Sequence, residues 1–350
     1  MLDKLLKEVV RNYSKKSYPC LYEQFLSFKK TKPLKGVKIL HAAPIFKNSL
    51  PKLLPLIVSE AVLHMIVPRF LPFDPRVVQY LQDIGMPFLK KPSSKENFDI
   101  FMDCSGSLAE FQPKLGAVEL TRSGVDYYLN KKYPVYSVDH SEIKAIEDQY
   151  GTSDGFIRAM ERLGLNQYSK YRFMVFGYGK VGSGIVKKLE RQEVKAITII
   201  DKANVFSRIK EHPTVDCCKK ADVLRLLDQV DFVVTATGVK HVIQDNYGAE
   251  KFIASRARLI NMGAEDEYGP AFPEKRVENN KKPLNFLLEE PTRLEFLDPV
   301  FALYNECAAL LAQKDRLANG IHPPPKETEE KIIKIFREKQ TSLQKLMVVV

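Results

Sequence analysis

The segment 176–184, FGYGKVGSG, constrains the fold more than any other part of the chain, because it separates an apolar run, YRFMVF, from a helix-like run, IVKKLERQ. Gly177, Gly179 and Gly182 form the pattern G-x-G-x-x-G between this predicted strand and this predicted helix. In that setting the first glycine permits a tight turn, the second leaves room for a pyrophosphate, and the third lets helix and strand pack closely. A glycine turn that holds no ligand is the alternative interpretation.

The residues after the turn extend the predicted site. A helix that opens with Lys180 and Val181 would direct its first N–H groups at the phosphates. The next predicted strand ends at Asp201, nineteen residues after Gly182, where a carboxylate can accept hydrogen bonds from both ribose hydroxyls. An acid there favours NAD over NADP, because it would repel the 2′-phosphate of NADP. Small and polar residues that end two further strands are expected beside the cofactor: Thr235, Thr237, Gly238, Asn261 and Gly263.

Strand-like and helix-like runs alternate on both sides of this turn, which predicts an α/β protein with two doubly wound domains. Before the turn, the strand-like runs are GVKILHAA, AVLHMIV, FDIFMDC, AVELT and YPVYSV. After YRFMVF they are AITIID, DFVVTATG, RLINMG and LNFLLEE. We expect a substrate-type domain over 1–147, a Rossmann dinucleotide-binding domain over 148–296, and helices within 297–350 that pack back onto the first domain.

Composition excludes several classes of protein. Hydrophobic residues make up 45% of the chain and charged residues 28%, which is typical of a soluble globular protein. The first residues, MLDKLLKEVVRNYSKK, carry charges where a signal peptide has an apolar region. Prolines and charges interrupt the most apolar region, 49–73, so it is a poor membrane span. We therefore expect a cytoplasmic protein that does not interact with membranes.

The net charge of +11 raises the question of nucleic-acid binding. The lysines and arginines are spread along the chain without a recognised nucleic-acid motif, so we expect a solvated basic surface and no nucleic-acid partner. The five cysteines are odd in number and include no C-x-x-C pair, which favours reduced thiols and no metal site. Cys217 and Cys218 are expected to be buried thiols.

Four segments resemble the S-adenosylhomocysteine hydrolase family: QYGTSDGFIRAMERLG, FGYGKVGSGIVKKL, DFVVTATGVKHVI and INMGAEDEYG. The resemblance is specific from about residue 148 to residue 267, and PLKGVKI, GMPFLK and FMDCSGSLAE are more weakly similar to the family's substrate domain. It implies bound NAD and a reaction in which NAD oxidises a ribose hydroxyl, a thiol leaves, water adds, and the ketone is reduced again.

The family's substrate motifs are only partly present. Pro44, Cys104 and Ala264 stand where the family has a histidine, an aspartate and a histidine. These differences argue against ordinary hydrolysis of S-adenosylhomocysteine. Asp103 matches the first residue of the family's double aspartate and Glu119 begins its Glu-Glu-Thr-Thr-Thr-Gly motif, so the resemblance implies that both contact substrate. A cap at the end of its strand is the alternative role for Asp103.

Arg122 stands where the family has a threonine beside the nicotinamide ribose. An arginine there offers a planar fork for a carboxylate or phosphate of the substrate. A surface arginine that pairs with Glu119 or Asp126 is the alternative.

Acid and base roles are assigned to His140, Lys144, Glu147 and Asp148. A histidine with a pKa near neutrality, or a lysine whose pKa is lowered by burial, could accept a hydroxyl proton as hydride leaves. The spacing predicts that His140, Lys144 and Glu147 share one face of a helix. A solvated charge stripe is the alternative.

These observations predict an NAD-dependent oxidoreductase with a rebuilt substrate site. Its small-molecule substrate would be an anionic hydroxy or amino acid, or a modified nucleoside. A true S-adenosylhomocysteine hydrolase with relocated catalytic groups and a non-catalytic NAD-binding protein are the alternatives. We also expect a homodimer, formed through the terminal helices.

Overall fold

The computed structural model describes residues 1–67, 71–90, 97–313 and 317–340. The chain divides into two compact units, Met1–Glu147 with Arg293–Val350, and Asp148–Thr292. Each unit is built on a parallel β-sheet that helices accompany, so the predicted α/β class is confirmed. No helix among the described residues combines the length and the apolar character that a bilayer span needs.

The strands and helices are numbered in chain order through the whole molecule. The strands are β1 (Lys38–Ala42), β2 (Val62–Ile66), β3 (Phe88–Leu89), β4 (Ile100–Asp103), β5 (Gly116–Glu119), β6 (Pro134–Ser137), β7 (Arg172–Phe176), β8 (Ala196–Asp201), β9 (Thr214–Asp216), β10 (Phe232–Thr235), β11 (Arg258–Asn261) and β12 (Gly320–His322). The α-helices are α1 (Leu2–Asn12), α2 (Pro19–Thr31), α3 (Leu50–Val58), α4 (Pro75–Asp83), α5 (Arg122–Val125), α6 (Thr152–Arg162), α7 (Lys180–Arg191), α8 (Lys220–Leu226), α9 (Val242–Tyr247), α10 (Glu250–Ala254), α11 (Leu294–Leu311) and α12 (Lys326–Lys339).

The sheet of the first unit has the strand order β12-β6-β5-β4-β1-β2-β3. The chain winds from β1 to β3 toward one edge and then returns to β4 on the other side of β1, so the winding direction reverses between β1 and β4. In open α/β sheets, ligands bind at the carboxyl ends of the strands where this reversal occurs. His41 and Ala42 of β1 lie beside Met102 and Asp103 of β4 at that position.

The C-terminal helices pack back onto the first unit, as predicted. Helix α11 packs on α2, α3, β4 and β5, and α12 packs on α2 and α11. The carboxylate of Asp298 on α11 accepts hydrogen bonds from the backbone N–H groups of Cys20 and Leu21, both at 2.9 Å. These two residues open α2, where N–H groups lack partners within their own helix, so Asp298 caps α2 from a distant part of the chain. The predicted continuation of α12 beyond residue 340 lies outside the described residues.

The sheet of the second unit has the order β11-β10-β7-β8-β9, and its winding reverses between β7 and β10. Apolar residues alternate between its two faces because successive strand side chains point in opposite directions. Phe173 and Val175 of β7 pack in the core with α6 and α7, whereas Met174 and Phe176 pack in a second core on the other face. Both faces of the sheet are therefore covered, which is the doubly wound arrangement.

One predicted strand of the second unit is wrong. LNFLLEE contains a short 3₁₀-helix, Leu284–Leu287, whose N–H groups bond locally instead of joining a ladder. Pro283 and Pro291 flank this segment and leave little room for a strand. The fifth strand is β9, a three-residue edge strand whose half-buried side chains give no alternating signal.

Candidate functional site

Two of the motif glycines are required by the fold of the turn itself. Gly177 has φ +90°, and a Cβ atom there would lie 2.5 Å from the carbonyl oxygen of Ala236. A Cβ atom on Gly182 would lie 1.9 Å from the carbonyl oxygen of Gly177. Any side chain at either position would collide with backbone, so these glycines bring β7, β10 and α7 together.

Gly179 differs from its neighbours because the fold does not require a glycine there. Its φ is −75°, a value open to alanine, and a Cβ atom would meet nothing within 4 Å. Gly179 is the N-cap of α7, and it has no side chain that could occupy this helix end. The glycine therefore preserves open space in front of a helix N-terminus, which is the arrangement that accepts a phosphate group. The residues present fit a dinucleotide pyrophosphate.

The fourth glycine of the segment, Gly184, has a separate role. A Cβ atom there would lie 2.0 Å from the carbonyl oxygen of Gln149. Gln149 belongs to a π-helix, Ile146–Gly151, which runs directly into α6. The absence of a side chain on Gly184 therefore allows α7 to pack closely against this helix.

Asp201 lies at the end of β8 and bonds to the glycine turn. Its Oδ2 atom accepts the backbone N–H of Tyr178 at 2.6 Å, and its Oδ1 atom accepts that of Lys202 at 2.7 Å. The side chain is half-buried. Each carboxylate oxygen can accept a second hydrogen bond. Asp201 can therefore support the turn and bind a ribose hydroxyl at the same time.

Lys180 and Asp148, two predicted site residues, lie close together within the second unit. Their charged groups are 3.8 Å apart, and both side chains retain some solvent exposure. Val181 is half-buried in the same turn of α7.

Thr235 and Asn261 form the inner part of the strand-end region. Both are fully buried, and the Thr235 hydroxyl donates to Asn261 Oδ1 at 3.2 Å. The Asn261 amide group donates to the carbonyl oxygens of Glu265 and Lys281, at 2.8 Å and 2.7 Å, and its Oδ1 atom accepts the N–H of Gly263. Asn261 thus holds the loop after β11 in place.

Glu267 organises the turn after β10, although the sequence pattern did not predict a role for it. Its carboxylate accepts the backbone N–H groups of Thr237 and Gly238 and the Thr237 hydroxyl, at distances of 2.6–3.0 Å. Burial raises the pKa of Glu267, and these hydrogen bonds oppose the rise. A Cβ atom on Gly263 would lie 2.0 Å from Glu267 Oε1. In sequence Glu267 is one of three acids in the loop AEDE, so nothing marked it out.

The vicinal thiols are more exposed than predicted. Cys217 is half-buried and Cys218 is exposed, so the expectation that both are buried is wrong. The reason is that they follow the short edge strand β9, outside the sheet. Their sulfur atoms and a carboxylate oxygen of Asp216 lie within 4.8 Å of one another. Asp216 Oδ1 accepts the N–H of Cys218 at 2.9 Å, which makes this group a local turn.

In the first unit, Asp103 is fully buried and bonded to protein donors. Its carboxylate accepts the Tyr128 hydroxyl and the backbone N–H groups of Cys104 and Leu108. Burial and the neighbouring charge of Glu119 raise the pKa of Asp103 well above its usual range. Asp103 therefore fixes the loop that follows β4.

Glu119 is enclosed in the same way. Its carboxylate accepts the backbone N–H groups of Ser105, Gly106 and Thr121, together with the Thr121 hydroxyl, at 2.8–3.1 Å. A Cβ atom on Gly124 would lie 2.2 Å from this carboxyl group. Burial raises the pKa of Glu119, and its hydrogen bonds oppose the rise. Asp103 and Glu119 thus join the loops after β4 and β5.

Arg122 pairs with Asp126 at 2.9 Å, across one turn of backbone, and its side chain is 60% exposed. This is the arrangement expected for a surface arginine.

Lys144 and Glu147 form an enclosed ion pair. The Lys144 amine lies 2.6 Å from Glu147 Oε2, and the two side chains are 4% and 18% exposed. His140 ends a separate 3₁₀ turn, Val138–His140, and is exposed. The expectation that all three share one helix face is wrong, because the extended backbone of Ser141 interrupts the helix between them.

One protein-family model matches part of the second unit, and several solved structures are similar to most of the chain. The model of the shikimate/quinate 5-dehydrogenase family matches residues 159–262. No curated protein matches the sequence significantly. Similar solved structures include a dipicolinate synthase chain from Bacillus halodurans, at 13% identity over 80% of this chain and 99% of that chain, with a TM-score of 0.47. Another is a D-isomer specific 2-hydroxyacid dehydrogenase from Lactobacillus delbrueckii ssp. bulgaricus, at 12% identity over 80% and 99%, with a TM-score of 0.41.

The matched range 159–262 contains the glycine turn, Asp201 and the ends of β10 and β11. The second unit is therefore a Rossmann-like domain of the NAD(P)-binding type. These findings give no specific support to the resemblance to S-adenosylhomocysteine hydrolase.

Proposed function

We propose that this chain is an NAD-dependent oxidoreductase that acts on a small anionic hydroxy or amino acid. The observation that carries the proposal is the open space at Gly179, in front of the N-terminus of α7. A side chain at this position would cost the folded chain little, so the space is best explained by a ligand. The match to a dehydrogenase family over 159–262 supports the same conclusion.

NAD is favoured over NADP because Asp201 ends the second strand of this sheet in chain order. Its carboxylate would accept hydrogen bonds from the adenosine ribose hydroxyls and would repel a 2′-phosphate. The first N–H groups of α7 would face the pyrophosphate, and the turn held by Glu267 would border the cofactor at the end of β10. Bound NAD would supply the hydride acceptor.

Lys144 and Glu147 are the acid–base pair of this proposal. Lys144 Nζ would exchange a proton with the substrate hydroxyl, and Glu147 Oε2, 2.6 Å from Nζ, would orient it. The Lys144 side chain is only 4% exposed, so few water molecules compete for its amine. His140 and Asp148 remain predictions for the same role, and Arg122 remains a prediction for substrate binding.

The test is turnover by the purified full-length chain. NAD is supplied with a panel of 2-hydroxy acids, 2-amino acids and modified nucleosides, and the absorbance of reduced nicotinamide is followed. We expect reduction of NAD with a small acid, and loss of this activity in Gly179→Ala without loss of folded protein. Thiol release from S-adenosylhomocysteine in the same preparation would favour the hydrolase alternative. Activity in Gly179→Ala equal to that of the wild type would refute the assignment of the turn.

A further inference from the structure

A second group of polar side chains lies where the winding of the first unit reverses. His41 is the fourth residue of β1, and Cys104 directly follows β4. The two strands are neighbours, with Ala42 of β1 paired in register with Asp103 of β4. Topology alone therefore marks the carboxyl ends of β1 and β4 as the place where this sheet would hold a ligand.

Two buried basic side chains in this region have side-chain nitrogens without a hydrogen-bond partner among the described residues. His41 is fully buried, and neither of its ring nitrogens is bonded. Lys52, in the first turn of α3, is 1% exposed, and its Nζ atom is unbonded. Buried polar groups are almost always hydrogen-bonded, because an unsatisfied one costs about 1–3 kcal/mol. Three such atoms in one part of the fold indicate that something outside the chain completes their bonding.

Tyr304 of α11 joins the two side chains. The Lys52 amine lies 5.9 Å from the Tyr304 ring centroid and 4.6 Å from that of Phe301. The His41 ring meets Tyr304 edge-on, with 6.1 Å between centroids. The Tyr304 hydroxyl donates to the carbonyl oxygen of Asp103 at 2.9 Å, so it is fixed on the backbone after β4. The aromatic rings attract the ammonium group, but they offer it no lone pair.

The acidic groups near Lys52 are engaged elsewhere. Glu147 and Cys104 are close enough to influence the Lys52 charge. Glu147 is bonded to Lys144, and burial together with Glu119 raises the pKa of the Cys104 thiol and keeps it neutral. We propose that Lys52 and His41 form a binding site for the carboxylate group of a small organic acid, at the carboxyl ends of β1 and β4.

Hydroxyl-bearing side chains lie close to Cys104. Lys52 and His41 are enclosed, whereas the hydroxyl groups of Ser105, Thr121 and Ser123 are half-buried. Ser105 and Thr121 hydroxyls lie 4.0 Å and 3.9 Å from the Cys104 sulfur. These hydroxyls provide a polar border on the outer side of Cys104. The inference rests on the proposed function in one respect only, namely that the bound acid is the substrate.

The experiment measures the rise in melting temperature caused by sodium pyruvate, with sodium chloride at equal ionic strength as the reference. Wild type, Lys52→Met, His41→Phe and the control Lys38→Met are compared. Lys38 is an exposed lysine at the opposite end of β1, so its substitution removes the same charge away from the site. We expect pyruvate to stabilise the wild type and Lys38→Met, and the apparent affinity to fall roughly tenfold or more in Lys52→Met. Lys52→Met should fold, because methionine fills a similar volume without a buried amine.

The carboxylate site would be overturned by the absence of a pyruvate effect beyond that of chloride, or by an effect in Lys52→Met and His41→Phe equal to that in the wild type. Stabilisation by sodium phosphate in place of pyruvate would also reject it. NAD binding is measured on the same preparations. NAD binding without a Lys52-dependent pyruvate effect contradicts this inference alone, whereas a pyruvate effect without NAD binding contradicts the proposed function alone.

Discussion

The carboxylate of Asp201 accepts the backbone N–H of Tyr178 across 2.6 Å, which ties the end of β8 to the glycine turn. The residue expected to select the cofactor therefore also supports the loop that would hold the pyrophosphate. Both tasks follow from the parallel pairing of β7 and β8, whose carboxyl ends lie side by side.

Replacement of Asp201 by alanine is expected to reduce the preference for NAD. The substitution removes the negative charge that would repel the 2′-phosphate of NADP. The ratio of the dissociation constants for NAD and NADP, measured by calorimetric titration, should move toward NADP by roughly tenfold. Asp216→Ala, one strand away on β9, is the matched control and should leave the ratio nearly unchanged. An unchanged ratio in Asp201→Ala would count against the ribose contact.

Glu267→Gln is expected to destabilise the protein. In the wild type, a carboxylate oxygen of Glu267 accepts hydrogen bonds from the backbone N–H groups of Thr237 and Gly238. A glutamine has one oxygen fewer, so its NH₂ group would face N–H donors that it cannot accept. The loss should be about 1–3 kcal/mol in the free energy of unfolding, measured with urea. Glu265→Gln, an exposed neighbour in the same loop, should change it by less than about 0.5 kcal/mol. Equal stability of the two variants would show that Glu267 does not hold this turn.

Lys52 should make stability depend on pH. Burial lowers the pKa of Lys52 from 10.5 to about 7, so above neutrality the unfolded chain keeps a proton that the folded chain has lost. The free energy of unfolding therefore rises with pH between these two values. Urea unfolding from about pH 7 to about pH 9 should show a steeper rise for the wild type than for Lys52→Met. If the free energy of unfolding had the same pH dependence in both proteins, Lys52 would not be the source of the rise.

The comparison with Lys52→Met removes the contributions of other groups, which titrate in both proteins. Those that face Lys52 or its neighbours are His41 on β1, Cys104 after β4, Lys144 and Glu147 near the π-helix, and Tyr304 on α11.

The Lys144–Glu147 pair should show strong thermodynamic coupling. Either Lys144→Met or Glu147→Leu leaves a poorly solvated charge without its partner, so each should cost roughly 1–3 kcal/mol. The double variant should cost less than the sum, because it removes both charges together. A double-mutant cycle in urea measures this coupling. Strictly additive losses would mean that the observed 2.6 Å contact contributes little.

Much of the fold could be predicted because its signals are local. The apolar runs of β1, β2, β4 to β8, β10 and β11 are buried strands of parallel sheets, and Asp74 caps α4 as its sequence position indicates. The segment LNFLLEE was misassigned because an apolar run does not reveal whether a neighbouring strand is available to pair with it. β3, β9 and β12 were missed because each has only two or three residues, at a sheet edge.

The glycine turn could be predicted from the sequence, whereas the grouping of Lys52 with His41 could not. The difference is whether the interacting residues are close together in the sequence. Gly177, Gly179 and Gly182 act through the backbone of one continuous turn, so their spacing carries the information. Lys52 and His41 matter because a distant helix, α11, covers them with Tyr304, and no local pattern reveals that.

Calorimetric titration of NAD into wild type, Gly179→Ala and Gly164→Ala tests the central claim most directly. Gly164 has φ +73° and no neighbour near its missing Cβ, so alanine there should cost about 1–2 kcal/mol of stability without affecting the turn. We predict NAD binding by the wild type and Gly164→Ala, and binding at least roughly tenfold weaker in Gly179→Ala at unchanged stability. Equal NAD affinity in all three proteins, or no binding by the wild type, would contradict the account.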